Sequence, residues 1–297
     1  MNNRSVSYAR NGTLHIKPAF MADSMNLASA DLNLWSGDPA TTCTDNFDFG
    51  CERVGGANII NPIASAKLRT AETFTFTYGR VEVVAQMPAG DWLWPAIWLM
   101  PTEAAYGPWP TSGEIDIAES RGNAASYAAG GRNQFGSTLH YGPYCCDDAY
   151  LTEHATYTLP SGDLSQGFHT YGMTWNETLI QTYIDSTVVL TAPINETFFA
   201  RGGFPDTLDN PWQDGEMNAP FDKGFYIIIN LAVGGTNGYF PDGPEKPWQD
   251  TSNVAANEFW AAQGTWRPTW TSPFLVDSVR VWQTPGGSAT NTLRPML

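Results

Sequence analysis

The stretch "AKLRTAETFTFTYGRVEVVAQMP", residues 66–88, decides the fold. Apolar and polar residues alternate along it, and it is rich in Val, Thr, Phe and Tyr. Alternation sends successive side chains to opposite faces, which is the pattern of a half-buried strand and not of a helix. The rest of the chain repeats it. "TLHIKP" (13–18), "EIDIAES" (114–120), "GSTLHYG" (136–142), "HTYGMTWN" (169–176), "LIQTYIDSTVVLT" (179–191), "GFYIIINLAV" (224–233) and "FLVDSVRVWQ" (274–283) all read as strands separated by Gly, Pro, Asn and Asp. The one segment with helical character is "NVAANEFWAAQG" (253–264). With 28 Gly and 21 Pro the chain is rich in loops. Two packed antiparallel sheets follow, forming one all-β domain over residues 1–284 with no linker or internal repeat. Residues 285–297 read as a disordered tail.

Composition narrows the function. A net charge of −15 turns the chain away from nucleic acid and anionic membrane surfaces. No segment approaches the ~18 consecutive apolar residues of a membrane span. The chain holds 12 Trp, 12 Tyr and 15 Phe. Such a surplus either fills a Trp-rich core or lines a surface that stacks flat ligands such as sugar rings. Four cysteines, Cys43, Cys51, Cys145 and Cys146, suit an oxidising compartment. Cys43 and Cys51 close a short loop and could pair; a bridge between adjacent Cys145 and Cys146 would be strained; cross-pairing is equally allowed. The spacings do not match a zinc knuckle. Sequons at Asn3, Asn11, Asn176 and Asn195 add weak support for a secreted glycoprotein. "MNNRSVSYARNGTLHIKP" has no apolar signal core, so a leader was removed or the chain starts inside a longer protein.

"GEIDIAES" (113–120) carries three acids in six positions. On a strand, Glu114 and Asp116 share one face, while Ile115 and Ile117 share the other. Glu119 would then point into the isoleucine layer, a costly place for a carboxylate. A one-residue β-bulge near Ala118 returns it to the face of Glu114 and Asp116. Two carboxyl groups flanking a sugar, one ionised and one protonated, are what a retaining glycosidase requires, and close like charges raise at least one pKa. "DWLWPAIWLMP" places Trp94 and Trp98 on one strand face just upstream, "YGPWPTSGE" adds Trp109, and "GSTLHYG" adds His140. A lone Trp is usually core and a lone His usually structural. Their convergence on one acid cluster favours a sugar site.

At these residues the chain resembles glycoside hydrolase family 16, in particular the laminarinases (endo-β-1,3-glucanases) and the animal β-1,3-glucan recognition proteins. The signature is Glu-x-Asp-x-x-Glu at Glu114, Asp116 and Glu119. Further matching stretches are "NIINPIASAKLRT" (58–70), "YGRVEVVAQMP" (78–88), "DWLWPAIWLMP" (91–101), "WPTSGEIDIAESRGN" (109–123), "GSTLHYGPY" (136–144), "FYIIINLAVGGTNGYFPDG" (225–243) and "VDSVRVW" (276–282). The resemblance implies a curved antiparallel β-sandwich, a jelly roll of concanavalin A type, with a glucan cleft on its concave face. It implies endo-acting hydrolysis with retention by a secreted monomer that requires no cofactor. By position, Glu114 resembles the nucleophile, Glu119 the acid/base and Asp116 the assisting carboxylate. Trp94, Trp98 and Trp109 match tryptophans of the glycone side, His140 a histidine near the acid/base, and Asn61 and Arg69 polar contacts in the cleft. Many relatives bind a structural calcium, for which Asp277 is the matching residue. Three features depart from the pattern: the chain starts where relatives carry a further edge segment, Val84 replaces a common Arg, and "YCCDD" (144–148) has no counterpart. Recognition proteins of this type have typically lost the catalytic glutamates, which this chain keeps. The alternatives are a glucan-binding protein with little hydrolysis, or a relative cutting mixed-linkage β-1,3-1,4-glucan.

Overall fold

The computed structural model describes residues 4–35, 50–283 and 288–291. Two antiparallel sheets face each other. One runs in the order Ser7–Arg10, Thr13–Ile16, Phe274–Trp282, Gly79–Gln86, His169–Asn176, Leu179–Ile184, Thr187–Pro193. The other runs His154–Thr158, Gln134–His140, Glu114–Ser120, Leu93–Pro101, Phe225–Val233, Phe74–Thr77, Ser288–Asn291, with Lys67–Arg69 also paired to Phe225–Val233. These are the two packed antiparallel sheets that the alternation predicts, in the jelly-roll form that the resemblance implies.

The 66–88 stretch is where the chain changes sheet. Lys67–Arg69 and Phe74–Thr77 belong to the second sheet and Gly79–Gln86 to the first. The crossing is made at Tyr78 (φ 59°) and Gly79 (φ 149°). A Cβ on Gly79 would sit 2.6 Å from the Trp282 carbonyl oxygen, so both the backbone conformation and the close approach demand glycine there. Past the crossing, Val81, Val83 and Ala85 point inward and are fully buried. They meet Ile97, Leu99, Ile115, Ile117, Leu139, Ile227 and Leu231 from the opposite sheet, with Trp175 in the same core. Each such side chain contributes about 1.5–3 kcal/mol by leaving water.

A second, smaller core holds the other part of the aromatic surplus. Trp92, Phe240, Trp248, Phe259 and Trp266 are all buried and pack together under the short helices Ala255–Ala261 and Gln263–Trp266. The helical reading of 253–264 thus meets two short helices. Trp94 is partly buried against the edge of this core, whereas Trp98 and Trp109 are not part of it.

The structure revises some expectations and adds detail to others. The chain end is not wholly a disordered tail, because Ser288–Asn291 pairs with Phe74–Thr77 as an edge strand. Ser7–Arg10 and His154–Thr158 are short strands that the alternation did not single out. Val84 lies on the first sheet, opposite Thr170 and Ser278, away from the acid strand; the common Arg it replaces would be a scaffold contact and not a cleft contact. Cys51 is buried and disulfide-bonded, whereas Cys145 and Cys146 are free and exposed; Cys43 lies outside the described residues. Asp277 is exposed and is the extra residue of a bulge between Val276 and Ser278. Among the described residues no cluster of three acid, His or Cys ligands includes it.

Candidate active site

The acid strand Glu114–Ser120 lies between Leu93–Pro101 and Gln134–His140, inside the sheet. Its pairing fixes the bulge. Asp116 lies opposite Trp98 and Thr138, and Glu119 lies opposite Ala96 and Gly136. The acid strand advances three residues where both neighbours advance two. The expected one-residue insertion is therefore present, at Ile117–Ala118, and both of those side chains are buried in the core. The inserted residue brings Glu114, Asp116 and Glu119 to one face, the one opposite the core. Cross-strand partners share a face, so Trp94, Trp98 and His140 stand on it as well.

Each acid has a named partner. Trp109 donates its indole N–H to Glu114 Oε2 at 2.6 Å, and Trp94 donates to Glu119 Oε1 at 2.8 Å. Trp98 donates to Asn230 Oδ1 at 2.6 Å, and Lys67 sits 5.7 Å above its ring. Asp116 is only 2% exposed. His140 Nε2 approaches Asp116 Oδ2 to 3.1 Å, near enough for an ion pair but off line for a hydrogen bond. The other ring nitrogen, Nδ1, lies 2.6 Å from Asp148 Oδ2. Tyr150 stacks on the imidazole at 5.4 Å, and Trp109 tilts against it at 5.8 Å.

These surroundings tune protonation. Burial pushes the Glu119 carboxyl up to about 8, with the charge of Asp116 adding to it and the Trp94 N–H opposing. Glu114 is also held well above the usual carboxylate range, by burial first and then by Asp116, against the pull of His140 and Trp109. For His140 burial works against the charged form, but the contacts with Asp116 and Asp148 outweigh it and lift the imidazolium to about 11. Both glutamates therefore hold a proton to higher pH than an exposed carboxylate does, and His140 stays cationic through the neutral range. Ligand atoms of Glu114, Asp116 and His140 come within 4.8 Å of one another. Both imidazole nitrogens face carboxylates, so His140 has no lone pair to offer a cation.

The sequence expectations divide. Glu114, Asp116, Glu119, Trp94, Trp98, Trp109 and His140 come together. Arg69 shares the face, one strand beyond Trp98 through Ile228, but its guanidinium pairs with Glu72. Asn61 is apart from the acids. It accepts from Arg53 at 3.1 Å and lines a cavity of about 610 Å³ bounded by Val233–Thr236 and Trp248. That cavity adjoins the Trp94 end of the face, where a Cβ on Gly235 would lie 3.8 Å from the Trp94 ring. Unforeseen were Asp148 and Tyr150, and a layered support behind Glu119. There Tyr239 stacks flat on Trp94 (3.8 Å, 5°), and the Arg121 guanidinium covers Tyr239 at 4.2 Å. Arg121, two residues past Glu119 in "ESRGN", is the one of these that proximity in sequence could have flagged.

The chain is similar to several known proteins. A β-1,3-glucan-binding protein of Penaeus monodon is 44% identical over 298 residues, covering 95% of this chain and 81% of that protein. A glucan endo-1,3-beta-glucosidase of Cryptopygus antarcticus is 32% identical, covering 72% of this chain and 76% of that protein. Gram-negative bacteria-binding protein 1 of Drosophila melanogaster is 35% identical, but the chain spans only 47% of its length. Among solved structures, the laminarinase catalytic domain of Thermotoga maritima shares the fold, with a TM-score of 0.58 at 22% identity over 95% of this chain and 82% of that one. The family model for glycosyl hydrolases family 16 matches residues 28–211. With the bulged acid strand and these relatives in hand, the chain belongs to glycosyl hydrolases family 16.

Proposed function

We propose that the protein hydrolyses internal β-1,3-glucosidic bonds of laminarin-type glucans with retention of configuration. One observation carries this reading: both glutamates are present and the bulge brings them to one face with Asp116 between them, where burial raises the Glu119 carboxyl to about 8. Glu119 is poised to give its proton to the glycosidic oxygen while Glu114 attacks the anomeric carbon. Esterified Glu114 no longer carries charge, which eases ionisation of Glu119 so that it can take a proton from water in the second step. Asp116 stands between the two and pairs with cationic His140. Trp94, Trp98 and Trp109 offer ring faces and edges to the sugars. The nucleophile must ionise above the ordinary carboxylate range, so activity falls as pH drops through the raised pKa of Glu114. It falls again as pH rises through about 8 and Glu119 loses its proton.

A second reading is favoured by the name of the shrimp relative: a glucan-binding protein that uses the same face with little hydrolysis. Incubation with laminarin separates the two. Release of reducing ends as a spread of oligosaccharides, abolished in Glu114→Gln while laminarin binding persists, supports the enzyme. Binding without new reducing ends supports the receptor.

A further inference from the structure

Of the "YCCDD" segment, the acid face as described so far uses only Asp148. Cys145 and Cys146 are both free and exposed, and their sulfurs lie 3.7 Å apart. They form the middle of a turn closed by the Asp147 N–H on the Tyr144 carbonyl at 3.4 Å. Cys146 has φ 73°, a left-handed conformation that a side chain rarely adopts. The flanks of the turn are pinned. A Cβ on Gly142 would lie 1.9 Å from the Asp147 carbonyl oxygen, so the two backbones touch, and the Ala149 N–H donates to Tyr141 at 2.9 Å. Two residues beyond the pair, Asp148 receives His140 Nδ1 at 2.6 Å on one oxygen and the N–H groups of Tyr141 and Tyr150, each at 3.2 Å, on the other. A pair of thiols thus sits at the apex of a loop whose base grips the histidine of the acid face.

We infer that Cys145 and Cys146 are a vicinal dithiol modification site. A small-molecule disulfide of the glutathione class oxidises them to a bridge, and this loosens the hold of Asp148 on His140. In the first step one cysteine thiolate attacks the reagent's S–S bond, which breaks and releases one thiol, leaving a mixed disulfide. The neighbouring thiolate then attacks the protein sulfur of that mixed disulfide and releases the second thiol. Two electrons pass from the cysteines to the reagent, and the two protons go to the departing thiolates. Closing the bridge draws the sulfurs together from 3.7 Å. Adjacent Cα atoms are about 3.8 Å apart across a trans peptide, below the usual ~4.4–6.8 Å span of a disulfide. The bridged turn is therefore strained and readily reduced again, and the backbone at residues 145–146 must move to form it. Because Gly142 and Asp147 are in contact, that movement is transmitted to Asp148. The buried disulfide at Cys51 lies outside this exchange.

The experiment treats the intact protein first with dithiothreitol and then with glutathione disulfide. It reads peptide masses and the His140 ring resonances by NMR. These readouts do not depend on glucanase activity, so they stand or fall separately from the proposed function. The expected result is a Cys145–Cys146 peptide lighter by two hydrogens, restored by dithiothreitol, with a shift of the His140 resonances that Asp148→Asn reproduces. Cys145→Ser with Cys146→Ser should hold the reduced spectrum in either reagent. If laminarin is hydrolysed, kcat should fall about tenfold on oxidation, the scale of one charge-assisted hydrogen bond. Stable glutathione adducts without a bridge, disulfide-linked dimers, or a bridge that leaves the His140 resonances in place would each overturn the inference.

Discussion

Replacing Trp94 by Phe isolates one interaction of the acid/base. The Trp94 N–H donates to Glu119 at 2.8 Å and favours its ionised form, so its removal must raise the pKa of Glu119 above about 8. Phe keeps an aromatic ring against Tyr239, which lies 3.8 Å away and nearly parallel, so the support behind the acid is retained. A hydrogen bond to a charged acceptor is worth about 1.5–3 kcal/mol and one to a neutral acceptor about 0.5–1.5 kcal/mol. The difference, about 1–1.5 kcal/mol, corresponds to about one pKa unit. The assay is kcat/KM for laminarin against pH, which reports the free protein's essential groups. The alkaline limb should move up by about one unit while the acid limb, set by Glu114, stays. An alkaline limb that does not move, or moves down, would refute the view that this indole tunes the acid/base.

Asp116→Asn should shift the alkaline limb the other way, below about 8, because the Asp116 charge helps to raise Glu119; an unchanged pH–rate profile with the fold intact would make Asp116 a bystander. Trp109→Ala should raise KM and move Tm by only about 1–2 °C, since the ring is 45% exposed and such substitutions cost little stability; a large drop in Tm with unchanged kinetics counts against it. Glu119→Ala, assayed on an activated aryl glycoside of a β-1,3-oligomer, should be rescued by azide to a β-glycosyl azide, and Glu114→Ala to an α-glycosyl azide. The opposite products would reverse the two roles.

What the sequence made legible was local. Alternation gave the strands, and the spacing from Asp116 to Glu119 was one residue too long for Glu119 to share the face of Asp116, so the bulge could be inferred before it was seen. The tryptophans and His140 were visible because they fall within a few residues of the acids or on an obvious strand. What stayed hidden depends on register between distant strands. Tyr239 reaches Trp94 only because the segment after Val233 folds back over that strand, and Asn230 meets Trp98 through pairing across 132 positions. Asp148 was hidden in an insertion with no strand pattern. Asn61 and Arg69 are cleft residues by resemblance, and their contacts with Arg53 and Glu72 are further pairings that no local pattern announces. The sheet change at Tyr78–Gly79 was likewise silent, because alternation looks the same in either sheet.

Two glutamates on one bulged strand should cleave the glucan with retention. Anomeric proton NMR during the first minutes of laminarin hydrolysis tests it most directly. New reducing ends should appear first as the β-anomer and then relax to the α/β mixture, with no signal from Glu114→Gln. Reducing ends that appear first as the α-anomer, or a wild-type protein that binds laminarin and releases none, would contradict it.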